Sequence, residues 1–225
     1  MTTMASEIRK LPKSFALKGR DIVLQRLRPT DHHAMVQFAQ QLPLDSLLFL
    51  RQDITRAPEV TKWIEESLEG HVITIVAWET EQIVGYATLD RGRARWTRHV
   101  AEIQVVVSES GRGIGIGRHL LELAFEHALA EGVQKVIARM TPDQDRAIAL
   151  FENLGFTLEA TLPDHAIGLD GKMHDLVLFA FHRRRNQDRR CESCGTPVLA
   201  GFSLGTTRLC SFCFESQYQE LGGGD

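Results

Sequence analysis

No cysteine occurs in the first 190 residues of this 225-residue chain, and all four lie between Cys191 and Cys213. That distribution excludes a disulfide framework spread through the fold. A discrete cysteine module in a reducing compartment is expected instead. No apolar run approaches the roughly 20 residues that cross a bilayer. Met1 to Pro12 lacks the hydrophobic region of a secretory signal, so a cytoplasmic location without membrane attachment is expected. A strong charge of either sign is missing too. The net charge is −3, which argues against a general nucleic-acid binder. There are no long internal repeats. Tyrosine is scarce, with only Tyr86 and Tyr218, and this limits the candidates for a phenolic proton donor. With 43% hydrophobic and 24% charged residues, the chain can build one good core and a small appendage. Its oligomeric state is left open.

Against these absences stands one organising stretch, Ala101 to Gly117. Its first half, Ala-Glu-Ile-Gln-Val-Val-Val, is apolar and β-branched and reads as a buried strand. Its second half is a turn carrying Arg112, Gly113, Ile114, Gly115, Ile116 and Gly117. Arg118 follows, and Leu120, Leu121, Ala124, Phe125 and Ala128 then recur at helical spacing. A glycine-rich turn between strand and helix leaves backbone N–H groups uncovered at the positive end of the helix dipole, where an anion such as a phosphate is expected. The glycines do not follow the dinucleotide pattern G-x-G-x-x-G, and no Gly-Lys-Ser/Thr of a phosphate loop is present.

The rest of the chain reads as alternating short elements. Residues 1–19 form a loose start. A strand is expected over 21–28, a helix over 31–41 capped by Thr30, a loop over 44–55, and a helix opened by Pro58 and closed by Gly70. A hairpin is expected over 71–90, strands at 136–140, 156–162 and 172–182, and a short helix from Asp145 to Leu154.

Arg112-x-x-Gly115-x-Gly117 resembles the pyrophosphate-binding motif of the GNAT superfamily of N-acetyltransferases. Asp145-Arg-Ala-Ile-Ala-Leu-Phe-Glu-Asn-Leu-Gly-Phe156 resembles the second signature of that family. The likeness covers residues 20–182. It implies an α/β fold of the α+β kind: a mixed, mostly antiparallel central sheet flanked by helices. It also implies an enzyme that moves an acetyl group from acetyl-CoA to a primary amine, either a protein lysine or a small amine. By the same likeness, Arg112 to Arg118 cradle the pyrophosphate. The backbones of Val105 and Val107 meet the pantetheine and the acetyl carbonyl. Glu102, placed as Ala-Glu-Ile, is the general base. The competing reading makes Glu102 a partly solvated residue or the ion-pair partner of Arg98. Gln144 stands where the family has asparagine, and Phe151 where many members carry the tyrosine that protonates the leaving thiolate. Both are grouped with the cofactor-binding residues. His99, His119, His127 and His174 read as ordinary surface or core histidines.

Cys191-x-x-Cys194 and Cys210-x-x-Cys213, separated by 15 residues, have the spacing of a structural zinc site. Four thiolates give the tetrahedral sulfur set that suits zinc. A module this small buries little core, so the metal would supply its folding energy. The expected organisation is therefore a flexible 1–19, an acetyltransferase domain over 20–182, a basic linker over 183–190 and a zinc-finger module over 191–225. Two other functions fit these features: an acyl-CoA-sensing regulator without turnover, or a nucleic-acid- or polymerase-binding accessory protein that uses the finger.

Overall fold

Alternation and glycine punctuation lay out most of the sheet. In the computed structural model, residues 11–48, 50, 52–92, 94–168, 171–183, 191–193, 202–204, 207–210, 213–214 and 216–217 are described. Strands β1 (Lys13–Leu17), β2 (Arg20–Arg26), β3 (Val72–Glu79), β4 (Gln82–Asp90), β5 (Val100–Val107), β6 (Lys135–Met140), β7 (Thr157–Ile167) and β8 (Met173–His182) form one sheet in the order β1-β2-β3-β4-β5-β6-β8-β7. Every neighbouring pair is antiparallel except β5 and β6. The helices are α1 (His32–Gln40), α2 (Leu44–Leu48), α3 (Ala57–Leu68), α4 (Ile116–Ala130) and α5 (Asp145–Asn153).

The helices cover both faces of the sheet. On one face α4 and α5 pack Leu120, Leu121, Phe125, Phe151 and Leu154 onto Ile75, Leu89, Ile103 and Phe179. On the other, α1 and α3 pack Met35, Phe38, Val60 and Trp63 onto Val76, Tyr86 and Val106. Strand β4 lies between the two cores, which is why it is buried from Ile83 to Leu89 without alternation. The apolar stripe of α3 outweighs its charged face. Val60, Trp63 and Ile64 are each buried, at about 1.5–3 kcal/mol per side chain.

Three expectations change. The loose start fails for Lys13–Leu17, which pairs with β2 along its whole length. The joining turn is Lys18-Gly19 with both φ positive, at 48° and 76°, the two-residue hairpin geometry that fits strand twist. Lysine in the first position hid that hairpin, because Asn-Gly or Asp-Gly is its usual sequence sign. The expected loop at 44–55 contains α2, with Leu47 and Leu50 packed on the second core and Leu44 exposed. Strand β7 runs five residues further than expected, to Ile167, through two register shifts against β8. Among the described residues, no helix is long and apolar enough to cross a membrane.

Candidate functional site

The sheet opens where β5 meets β6. The two strands pair only through Val100–Lys135, Ala101–Val136 and Glu102–Ile137. Beyond Glu102, β5 continues beside β4 as far as the Gly85–Val107 pair, while β6 continues beside β8 to the Met140–Val177 pair. A wedge therefore opens from Glu102 upward. The carbonyl of Val106 lies 2.9 Å from where a Cβ on Gly85 would sit, so it faces β4. Backbone direction alternates along a strand, and the N–H and C=O groups of Val105 and Val107 thus face the wedge.

The glycine turn sits above this opening. A bulge at Val84, between the pairs Ala77–Gly85 and Trp78–Ile83, offers its carbonyl to the backbone N–H and Oγ of Ser108, both at 3.0 Å. Gly111 has no room for a side chain, since a Cβ there would lie 2.8 Å from the Val84 carbonyl and 2.9 Å from Val107. Gly113 and Gly115 adopt φ of 77° and 97°, a region costly to other residues. Gly117 lets α4 approach the strand, its missing Cβ lying 3.4 Å from Val107 Cγ2. Among the described residues, the backbone N–H groups of Gly113, Ile114, Gly115, Ile116 and Gly117 have no acceptor in the protein. Five consecutive donors at the start of a 15-residue helix form an anion cradle.

Two side chains from the β1–β2 hairpin brace the cradle from outside. Lys18 Nζ donates to the Gly113 carbonyl at 2.9 Å, and Arg20 donates to the Ser110 carbonyl at 2.7 Å while pairing with Glu79. Arg118 pairs along the helix with Glu122 at 2.9 Å. Behind the cradle, His119 is buried, stacks on Phe15, and shares a 3.1 Å hydrogen bond with the Gly115 carbonyl. Burial pushes its pKa down to about 4. The Gly115 bond opposes this shift, and the nearby Arg118 and Lys13 charges add to it. The ring is therefore neutral at neutral pH.

Glu102 stands at the vertex of the wedge. Its partner is not Arg98 but Arg139, whose Nε and an Nη reach both carboxylate oxygens at 3.0 and 2.6 Å. The pair ties the two strands together at the point where they diverge, from the last paired residue of β5 to a residue two beyond the last paired one of β6. The Glu102 hydrogen bond holds the Arg139 guanidinium further above its usual range, more than burial lowers it. Gln144 is the residue before α5, and its side chain makes no capping bond. Phe151 is 4% exposed and meets Phe156 edge-on at 5.0 Å. Its ring belongs to the core, and no proton donor stands at that point of α5.

On the α3 side of the sheet, β5 also borders a small cleft that is open to solvent. Gln104 forms its wall on β5, with Thr88 and Asp90 beside it on β4 and Glu66 on α3. Tyr86 and Trp63 form its floor, stacked edge-on at 5.1 Å. Burial drives the Tyr86 phenol well above its usual range, so it keeps its proton.

The fold has known counterparts. The Acetyltransferase (GNAT) family model matches residues 38–156. The chain belongs to the GNAT acetyltransferase family. Mycothiol acetyltransferase of Corynebacterium efficiens is 31% identical over 109 residues, which cover 48% of this chain and 33% of that protein. The chain thus spans about a third of the length of that relative. Among solved structures, a ribosomal-protein-alanine N-acetyltransferase from Brucella melitensis superposes with a TM-score of 0.63 at 25% identity. That match covers 71% of this chain and 98% of the other. The yncA protein of Salmonella typhimurium, solved with its cofactor acetyl-CoA, has a TM-score of 0.63 at 21% identity. It covers 72% of this chain and 93% of the other.

Past the GNAT sheet, Arg183 is anchored by its N–H to the Gln134 carbonyl and by its guanidinium to the Leu129 carbonyl. The basic stretch 184–190 and Cys194 lie outside the described residues. The Sγ atoms of Cys191, Cys210 and Cys213 lie within 4.8 Å of one another, and Cys191 and Cys210 are buried. A hairpin of β9 (Phe202–Leu204) and β10 (Thr207–Leu209) leads into Cys210. The Cys213 N–H donates to Cys210 Sγ at 3.5 Å, curling the chain around that sulfur. Sequence reasoning missed Lys18, Arg20 and Arg139. Each reaches the site from 37 to 95 residues away, a distance that no local pattern encodes.

Proposed function

We propose that this chain transfers an acetyl group from acetyl-CoA to a primary amine by direct attack on the thioester. The carrying observation is the five-donor cradle directly above a strand edge whose backbone is unpaired on the wedge side. The cradle suits the pyrophosphate of CoA through Gly113 to Gly117, with Arg112 and Arg118 adding charge. The Val105 and Val107 backbone groups suit the pantetheine amides and the acetyl carbonyl. The amine lone pair forms the N–C bond while the C–S electron pair leaves on sulfur. One proton passes from nitrogen to Glu102 through water. The thiolate takes its proton from solvent, because a thiol with a pKa of about 8.5 leaves without a dedicated donor. Phe151 in the core fits that economy.

The same phenylalanine also favours a second reading, a sensor that binds acyl-CoA without turning it over. Calorimetric titration with acetyl-CoA, followed by CoA release with a panel of amines and lysine peptides, separates the two. Binding with release supports the transferase. Tight binding without release supports the sensor. No binding overturns both.

The cysteine module is the second part of the proposal: Cys191, Cys194, Cys210 and Cys213 hold one structural zinc. The clustering of three of these sulfurs, two of them buried, supports it. A full thiolate set leaves no open position for catalysis.

A further inference from the structure

Two bonds hold the Glu102 carboxylate. Arg139 Nε donates to one oxygen at 3.0 Å, and an Nη donates to the other at 2.6 Å. The planar guanidinium and the planar carboxylate therefore meet edge to edge. A single bond would let the carboxylate turn about its last torsion, whereas two fix its plane. The sheet makes this contact possible. Ala101 and Ile103 on β5 belong to the core beneath α4 and α5, and so do Ala138 and Met140 on β6. Side chains alternate along a strand, so Glu102 and Arg139 both project from the opposite face. Arg139 stands two residues beyond the last β6 partner of β5, where the strands have parted. Its long side chain spans the opening and reaches back to Glu102.

Stability alone does not account for this fork. The Arg139 side chain is 39% exposed and that of Glu102 is 18% exposed, and an ion pair that water reaches adds little to folding. Both strands are also held on their outer sides, β5 by β4 and β6 by β8. What the pair supplies is geometry. A carboxylate offers about four lone-pair sites. The fork takes one on each oxygen and leaves one on each for water. Arginine keeps its proton in a protein, so it orients Glu102 without competing for the proton that Glu102 accepts. Resting on the reading of Glu102 as general base above, we propose that Arg139 is a positioning residue for the transfer, holding the Glu102 carboxylate in the orientation from which a water relays the amine proton. The N–C bond forms, and the C–S bond breaks with its electrons on CoA sulfur. The proton passes through that water to a lone pair that the fork leaves open. Arg139 neither gains nor loses a proton. Lysine does not replace it, because an ammonium is a point charge without the fork.

The test measures kcat and the acetyl-CoA Kd of the full-length protein at pH 7, with the best acceptor among n-butylamine, 1,4-diaminobutane and a lysine peptide. Thermal melts check that each variant is folded. Arg139→Gln is expected to lower kcat by about ten- to a hundredfold, the range that misplacing a reacting group costs, and to leave the acetyl-CoA Kd within about twofold. Arg139→Lys should recover only part of the loss. In a Glu102→Gln background, Arg139→Gln should cause no further loss, because two residues that act through one group are not additive. Full kcat in Arg139→Gln or in Arg139→Lys, beside a loss in Glu102→Gln, overturns the positioning role and leaves the base in place. So does a loss that persists in the Glu102→Gln background, or one that comes with weaker acetyl-CoA binding. Either would make Arg139 a brace of the wedge. Unchanged turnover in Glu102→Gln removes the base and this proposal with it. No release with any of the three acceptors overturns the transferase reading as well.

Discussion

Lys18 lies 95 residues from Gly113 in sequence and exposed at a hairpin turn, yet it touches the glycine turn before α4. A peptide group is planar and trans, so fixing the Gly113 carbonyl outward turns the Ile114 N–H inward. Lys18→Ala should raise the acetyl-CoA Kd about three- to tenfold while moving stability by less than about 0.5 kcal/mol, as an exposed substitution does. Calorimetry beside a thermal melt checks it, with Lys18→Arg restoring affinity. Glu102→Gln tests the base: turnover should drop at pH 7 and recover in part at high pH, where the free amine dominates. A flat pH response would remove Glu102 from the mechanism. His119 gives a stability signature. Its folded-state pKa of about 4 lies below the ordinary 6.5, so between those values the unfolded chain binds the proton more readily. Stability is full above pH 6.5 and declines as pH falls toward 4, at up to about 1.4 kcal/mol per pH unit. Urea midpoints from pH 7 to 4.5 should fall less steeply for His119→Asn than for the native chain.

At the scale of elements, the loop from Ser108 to Gly117 separates two uses of glycine. Gly111 is a packing position, where a methyl group would strike the Val84 carbonyl and Val107. Gly113 has open space around it but φ at 77°. Gly111→Ala should therefore destabilise the fold by about 1–3 kcal/mol through overpacking. Gly113→Ala should cost about 1–2 kcal/mol of backbone strain, borne in the cradle. The distinguishing measurement is paired. The first variant lowers the melting temperature more, and the second weakens acetyl-CoA binding more per degree lost. The wedge is likewise an element-scale property. It exists because β5 and β6 part after the Glu102–Ile137 pair, β6 staying with β8 and β5 with β4.

For the whole molecule, two cores on opposite faces of one sheet hold the β4–β5 pair rigid under the site, and the cysteine module follows the last strand. If four thiolates hold one zinc, the purified chain should contain one equivalent of it. Cys210→Ser should lose the metal. Chelation should then melt the residues after 190 without unfolding the sheet, whose core, among the described residues, uses none of them. Limited proteolysis with and without chelator reads this directly: cleavage after 183 with a stable core is expected. Global unfolding on chelation would show that the module braces the sheet.

What the sequence by itself determined was local. The periodicity of Val100 to Ala130 specified strand, turn and helix, the glycines marked the turn before that helix, and the paired Cys-x-x-Cys spacing marked the cysteine cluster. These signals are legible because they depend on neighbours within one or two turns of chain. The tertiary structure decided what depends on distant pairing. It placed Arg139 rather than Arg98 on Glu102, and Lys18 and Arg20 on the cradle. It buried Phe151 and His119, and it set β5 and α3 on opposite sides of a cleft that no motif announces. Ion pairs and clefts form between elements whose separation in sequence is arbitrary, so only the packed sheet could select them.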